Sequence, residues 1–210
     1  MPMFRSTGFK MLSATLAMSS AIVAAGCGGA AAQAPVFTLS SPDLASGQFD
    51  SRFIANGFGC TGLNVSPELV WSGVPAGTQS LALTVHDPDA PTGSGFWHWA
   101  VYNLPASATG LQRGAGNLPL RLPAPAVAGM NDFHDTGVNG ANGGYGGPCP
   151  PQGDTAHRYV FTLYALAVPD MHAAAGIPAS GTPALHSFVL NRGLGDKLLG
   201  KATFTATFGR

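Results

Sequence analysis

Charge is sparse in this 210-residue chain: Asp, Glu, Lys and Arg together make up 10% of it. Acidic and basic groups are equal at 10 each, with no basic stripe to track a phosphate backbone, so nucleic acid is not an expected partner. Cysteine is scarce as well, with only Cys27, Cys60 and Cys149, and no CxxC pair exists. HExxH and paired-histidine spacings are missing, which argues against a metal centre. A Gly-x-Ser-x-Gly elbow and a P-loop are missing too, which removes two common routes to hydrolysis and phosphoryl transfer. No apolar run reaches the ~20 residues that a membrane-spanning helix needs.

Hydrophobic residues make up 45% of the chain, enough for the core of one domain. The first residues read as an export signal. Arg5 and Lys10 precede a short apolar stretch from Met11 to Ala25. Ala24-Ala25-Gly26-Cys27 resembles a bacterial lipobox, in which Cys27 becomes the lipidated first residue. Ala30-Ala31-Ala32 and Ala32-Gln33-Ala34 are alternative signal-peptidase sites, although Pro35 disfavours the second. The expected organisation is a signal over 1–27, a small-residue linker over 28–35 and a single domain over 36–210. Without the signal, eight basic and ten acidic groups remain, a net charge of −2. Cys60 and Cys149 are then an even pair in an oxidising compartment. A bridge between them would close a loop of about 90 residues, worth up to ~4 kcal/mol in the chain-entropy model. Two separate buried thiols are the other reading.

Period-two patterns recur along the chain. Ser80–Asp87 places Leu81, Leu83 and Val85 on one face. Trp99–Leu104, Arg158–Leu166 and Ala202–Phe208 are further strands, the last with Phe204 and Phe208 opposite its threonines. Separate alternating segments predict an antiparallel β fold. Thr182 and Pro183 mark a helix start, with Leu185, Phe188 and Val189 as its apolar stripe, and a second short helix is expected near Leu194. The 29 glycines and 17 prolines do not imply disorder, because the strands carry too much apolar surface. Between Pro105 and His157 lies a long Gly-, Pro- and Asn-rich stretch, a length that often marks function.

Candidate site residues gather around two segments. Asp87-Pro88-Asp89-Ala90-Pro91 follows the first strong strand, and Phe96-Trp97-His98-Trp99 opens the next. A hairpin would set Asp87 beside His98, where a carboxylate raises an imidazole's pKa and fixes its tautomer. Asp87 and Asp89 also suit plain turn capping. The second segment, Gly143-Gly144-Tyr145-Gly146-Gly147-Pro148-Cys149-Pro150-Pro151-Gln152-Gly153, leads to His157-Arg158-Tyr159. Its amides can face an anion, or it can be a simple connector. Trp97 and Trp99 read as core or rim. His86 is expected to pack or face solvent, and His134, His172 and His186 are expected at the surface. Ser66 reads as a turn residue.

With Asn64-Val65-Ser66-Pro67-Glu68-Leu69-Val70-Trp71, these segments resemble the phosphatidylethanolamine-binding protein (PEBP) family, in its bacterial Raf-kinase-inhibitor-like branch. The resemblance runs from about Phe49 to Arg210. It implies a large antiparallel sheet packed on a smaller one, with short C-terminal helices. It also implies a ligand pocket holding Asp87, Asp89, Phe96, His98, Pro151 and His157, with Gly147 and Tyr159 along its wall. The implied ligand is a small anion: phosphate, a phospholipid head group or a carboxylate. No cofactor, metal or catalytic residue is expected. A protease or kinase partner is the implied alternative role, and a hydrolase using Asp and His as acid and base is a third. A homodimer is implied by analogy, and membrane contact only through a lipid on Cys27.

Overall fold

Alternation along the central strands sorts side chains into two cores rather than into core and solvent. In the computed structural model, which describes residues 35–134, 136 and 143–210, β5 (Ser80–Asp87) is buried on both faces. Leu81, Leu83 and Val85 enter the larger core, and Ala82 enters the smaller one. The same division holds for β6 (Phe96–Pro105), where Trp99 and Val101 face one way and Ala100 and Tyr102 the other. In β9 (His157–Leu166), Tyr159, Phe161, Leu163 and Ala165 join the larger core, and Tyr164 and Leu166 the smaller. Period-two geometry places successive side chains on opposite faces, and here each face meets its own protein layer.

These strands form a five-stranded antiparallel sheet, ordered β10-β9-β5-β6-β8, with β8 at Val127–Ala128 and β10 at Leu198–Phe208. On β10, Ala202, Phe204, Ala206 and Phe208 pack on the larger core, and the Phe204 ring stacks on Phe161 at 4.5 Å. A three-stranded sheet of β1 (Thr38–Ser40), β4 (Leu69–Ser72) and β7 (Gly110–Leu111) contributes Leu39, Leu69, Trp71 and Leu111 to that core. The fold is thus the expected large antiparallel sheet and smaller sheet. A separate hairpin pairs β2 (Asn56–Gly57) with β3 (Cys60–Thr61).

Short helices cover the other face of the large sheet. Helix α1 (Met171–Ala175) starts at Asp170, whose side chain accepts from the His172 and Ala173 amides, and ends at Gly176 in the left-handed conformation. Helix α2 (Pro183–Phe188) starts as expected, with the Thr182 side chain accepting from the Leu185 amide and Pro183 in the first turn. A π-turn follows at Val189–Gly193 and a 3-10 turn at Gly195–Lys197, where a second short helix was anticipated. His172 on α1 and His186 on α2 turn inward rather than to the surface: their rings pack edge-on against each other and against Tyr102, and His186 is 0% exposed. His134 is exposed.

Among the described residues of the long stretch after Pro105 the strands are β7 and β8, and side-chain hydrogen bonds hold much of the rest. Asn64 is central to this. Its Oδ1 accepts from the Gly147 amide at 2.7 Å, and its Nδ2 donates to the Tyr145 carbonyl at 3.0 Å. Ser66 is fully buried, and its Oγ accepts from the Gly116 amide at 2.9 Å. Buried backbone groups need such partners where no ladder supplies them. The 1–27 segment, Cys27 and most of the linker lie outside the described residues.

Candidate functional site

A cavity of about 350 Å³ opens where β5, β6 and β9 end together. Asp87, Phe96, His98, Pro151, His157 and Tyr159 line it. Asp87 ends β5 and is 2% exposed. Its Oδ1 accepts from the amides of Asp89 and Ala90 at 2.9 and 3.1 Å, which is turn capping. Its Oδ2 accepts from Nδ1 of His157 at 2.8 Å. One carboxylate therefore performs both of the roles that the sequence allowed.

The expected pairing of Asp87 with His98 does not form. The two share the cavity, but Asp87 lies opposite Phe96 in the β5–β6 ladder, after a register slip between Val85 and His86. His98 stands two residues further along β6, among the rings of Phe96, Phe133 and Tyr159 at 5.1–5.3 Å. Its Nδ1 donates to the Gly146 carbonyl at 2.8 Å, leaving Nε2 as the unprotonated nitrogen. Burial lowers the His98 pKa to about 4, against the opposing Gly146 bond and Asp87 charge. This reverses the direction expected from a carboxylate neighbour.

His157 behaves in the opposite way. Burial opposes its charged form, but the Asp87 hydrogen bond and charge, followed by Asp154, raise its pKa above the usual 6.5. Asp154 Oδ2 lies 3.4 Å from Nε2. Tyr159 is buried, and burial, followed by the charge of the neighbouring Asp87, raises its pKa.

Two expected site residues do not line the cavity. Asp89 turns outward to Arg158, accepting from its amide and guanidinium at 2.7–2.9 Å, and that hydrogen bonding lowers its pKa to about 2. Gly147 is buried behind the wall, its amide bonded to Asn64. The glycine-rich segment also presents fewer amides than its composition promised. Tyr145 donates to the Gly116 carbonyl, Gly146 to His98 and Gly153 to Arg210. Trp99 is core, and the Trp97 ring lies tilted against His86 with ring centroids 4.2 Å apart. Among the described residues, no three His, Cys, Asp or Glu side chains form a metal-binding group.

Sequence reasoning missed Phe58, Phe133 and Arg210, which also line the cavity. Arg210 donates to the carbonyls of Pro150, Gly59 and Phe58 at 2.6, 3.1 and 3.2 Å. Cys149, another lining residue, is disulfide-bonded to Cys60. Asn56-Gly57-Phe58-Gly59-Cys60 carries a tight-turn signal that would have found the hairpin. Phe133 and Arg210 lie outside any periodic pattern and offered none.

A family model described as phosphatidylethanolamine-binding protein matches residues 25–209. The chain belongs to the phosphatidylethanolamine-binding protein family. It is 50% identical to the protein YbcL of Escherichia coli over 137 residues, covering 64% of this chain and 71% of that protein. The crystal structure of E. coli YbcL, described as a new member of the mammalian PEBP family, superposes with a TM-score of 0.71. That superposition covers 83% of this chain and 98% of YbcL at 40% identity. A Mycobacterium tuberculosis protein named "Putative lipoprotein LppC" is 41% identical over 131 residues, covering 62% of this chain and 56% of that protein. This PEBP member therefore shares fold and family with bacterial relatives across most of the described domain.

Proposed function

We propose that the cavity binds a small oxyanion: phosphate, a phosphorylated head group or a carboxylate. The observation that carries this reading is the His157–Asp87 pair, in which the 2.8 Å carboxylate contact favours the charged form of a buried imidazole at the cavity wall. Arg210 adds a guanidinium at the rim, and its side-chain hydrogen-bond partners are neutral carbonyls. The Asp154 contact at His157 Nε2 is long and half-exposed, so an incoming oxyanion can displace it.

Binding occurs without turnover in this proposal. Tyr159 stays protonated at neutral pH because burial raises its pKa, and the Cys149 sulfur is committed to a disulfide. The protein acts outside the cytoplasm, facing the periplasm. The Cys60–Cys149 bridge suits an oxidising compartment, and one relative carries a lipoprotein name. No helix among the described residues is long and apolar enough to cross a membrane, and in this proposal attachment comes through a lipid on Cys27. Cys27→Ser then moves the protein from the membrane to the soluble fraction.

Calorimetric titration of phosphate, phosphoethanolamine and acetate into the mature protein tests the reading. Saturable binding is expected, weakened roughly tenfold by His157→Gln or Arg210→Gln, since a charge-assisted hydrogen bond is worth ~1.5–3 kcal/mol. Absence of binding for all three between pH 6 and 8 removes it. That outcome would favour the protease- or kinase-inhibitor role implied by family resemblance.

A further inference from the structure

Two separate ties fasten the tip of the β2–β3 hairpin to the Pro-rich rim of the cavity. One is covalent, from Cys60 on β3 to Cys149 on the rim. The other is Arg210, whose guanidinium donates to Phe58 and Gly59 on the hairpin and to Pro150 on the rim. Residues nearer the hairpin base are held independently, for instance by the Ala55 amide donating to Pro148 at 3.0 Å.

The tip carries a strained aromatic. Phe58 and Gly59 form a two-residue turn with φ of 53° and 85°. Glycine tolerates the left-handed region, but a bulky residue there is an outlier that its surroundings must hold in place. Phe58 is 55% exposed, yet it lines the cavity with its ring 6.0 Å from that of Phe133. Cys60 is 8% exposed, whereas Cys149 is half-buried and lines the cavity. The bridge is therefore approached from the cavity side, at Cys149.

We propose that the Cys60–Cys149 bridge is a redox latch on the cavity mouth, closed when oxidised and released by a dithiol reductant. The reductant's thiolate attacks Cys149 Sγ and expels Cys60 as a thiolate, which takes up a proton. The second reductant thiol then displaces Cys149, which is also protonated, and the reductant leaves as a disulfide. Two electrons and two protons have moved to the protein. Once the covalent tie is gone, Phe58 relaxes out of the left-handed region and carries with it the carbonyls that seat Arg210. Ligand binding and reduction oppose each other: an occupied cavity shields Cys149, and an open latch weakens the site. Linkage makes the effect reciprocal. The coupling to ligand rests on the anion-binding reading above, whereas the latch itself does not.

The test compares the oxidised mature protein with dithiothreitol-reduced protein and with the Cys60→Ser/Cys149→Ser double variant, which cannot re-form the bridge. Amide hydrogen exchange is followed at residues 56–61, with β9 and β10 as internal controls for loss of global stability. The latch predicts at least tenfold faster exchange at 56–61 in both open forms, with the controls changing far less. It also predicts at least a threefold rise in the Kd for inorganic phosphate, and slower thiol release in saturating phosphate. Exchange at 56–61 that does not outpace the controls overturns the latch. An unchanged phosphate Kd with a mobile hairpin overturns its control of binding. If oxidised protein takes up no phosphate, the anion-binding reading fails, and the hairpin exchange, which needs no ligand, still decides the latch.

Discussion

Asp87 Oδ2 accepts a 2.8 Å hydrogen bond from Nδ1 of His157 across 70 residues of chain, and both side chains are almost wholly buried. Because Asp87 Oδ1 already accepts two backbone amides, the carboxylate is fixed in place before the imidazole meets it. The pair is therefore a preorganised unit, built by a turn on β5 and the first residue of β9.

Asp87→Asn should lower the His157 pKa, because burial then opposes the imidazolium with only Asp154 left to favour it. A raised histidine pKa contributes stability that is fully present below the unfolded value of about 6.5 and is lost as pH rises through the folded value. The stability deficit of Asp87→Asn should accordingly be larger at pH 6 than at pH 9, by ~1.5–3 kcal/mol if one charge-assisted bond is lost. Urea unfolding at the two pH values measures the deficit, and NMR titration of the imidazole C–H signals measures the pKa. A deficit that does not vary with pH would mean that His157 is neutral in the folded state.

The two cavity histidines should respond to pH differently. Sulfate is the suitable probe, since phosphate changes its own charge near pH 6 to 7. Sulfate affinity should rise as pH falls from 8 to 6, because the Asp87 and Asp154 carboxylates shift protonation of His157 to higher pH than for an ordinary imidazole. His157→Gln should flatten the profile. His98→Gln should leave its slope in place, because burial keeps His98 neutral down to about pH 4. Calorimetry at half-unit pH steps separates the two, and a slope that survives His157→Gln would assign the titrating group elsewhere.

Much of this was legible in the sequence, and what was not has a physical cause. Ser80–Asp87, Arg158–Leu166 and Ala202–Phe208 declared themselves because period two is local. That both faces of the large sheet are covered was hidden, since alternation does not say what each face meets. Asp87 and His157 were each singled out, but their contact depends on β9 being the other neighbour of β5, a fact of topology with no local signal. The same holds for His98, whose partner is a carbonyl on a distant loop. Strands of two residues, such as β7 and β8, are too short for any period. The Asp170 and Gly176 caps of α1, by contrast, are a local signal, an Asx side chain before the first turn and a glycine after the last.

Acid should destabilise the domain before its carboxylates titrate. Burial lowers the pKa of His98, His172 and His186, so below about pH 6.5 the unfolded chain takes up protons that the folded protein refuses. Stability is then full above pH 6.5 and falls as pH drops, with the His98 contribution continuing to about pH 4. His157, whose pKa is raised, offsets part of this loss. Tyr102 packs against both helix-side rings, and Asp170, 3.8 Å from His172 Nδ1, favours protonation of that ring without outweighing its burial. Thermal unfolding at pH 7.5, 6, 5 and 4 should show a falling Tm. His186→Gln, which can still donate to the Pro178 carbonyl, should reduce the slope between pH 6.5 and 5.

Gly147 stands in the wall for steric reasons, and its substitution separates that role from ligand contact. A Cβ at this position would lie 2.3 Å from the Phe53 carbonyl oxygen, 2.6 Å from the Ile54 carbonyl carbon and 2.7 Å from the Ala55 nitrogen. All three are backbone atoms, so no side chain can swing aside to make room. The 53–55 segment would have to retreat, straining the Ala55–Pro148 hydrogen bond and the Asn64 bond to the Gly147 amide. Gly147→Ala should therefore destabilise by ~1–3 kcal/mol, the usual cost of overpacking a tight interior. The added methyl points at this backbone and not into the cavity, so anion affinity in the folded variant should change less than it does in His157→Gln. Denaturant midpoints and calorimetry on the same samples check both halves. Normal stability with lost binding would reverse the assignment and make Gly147 a ligand contact.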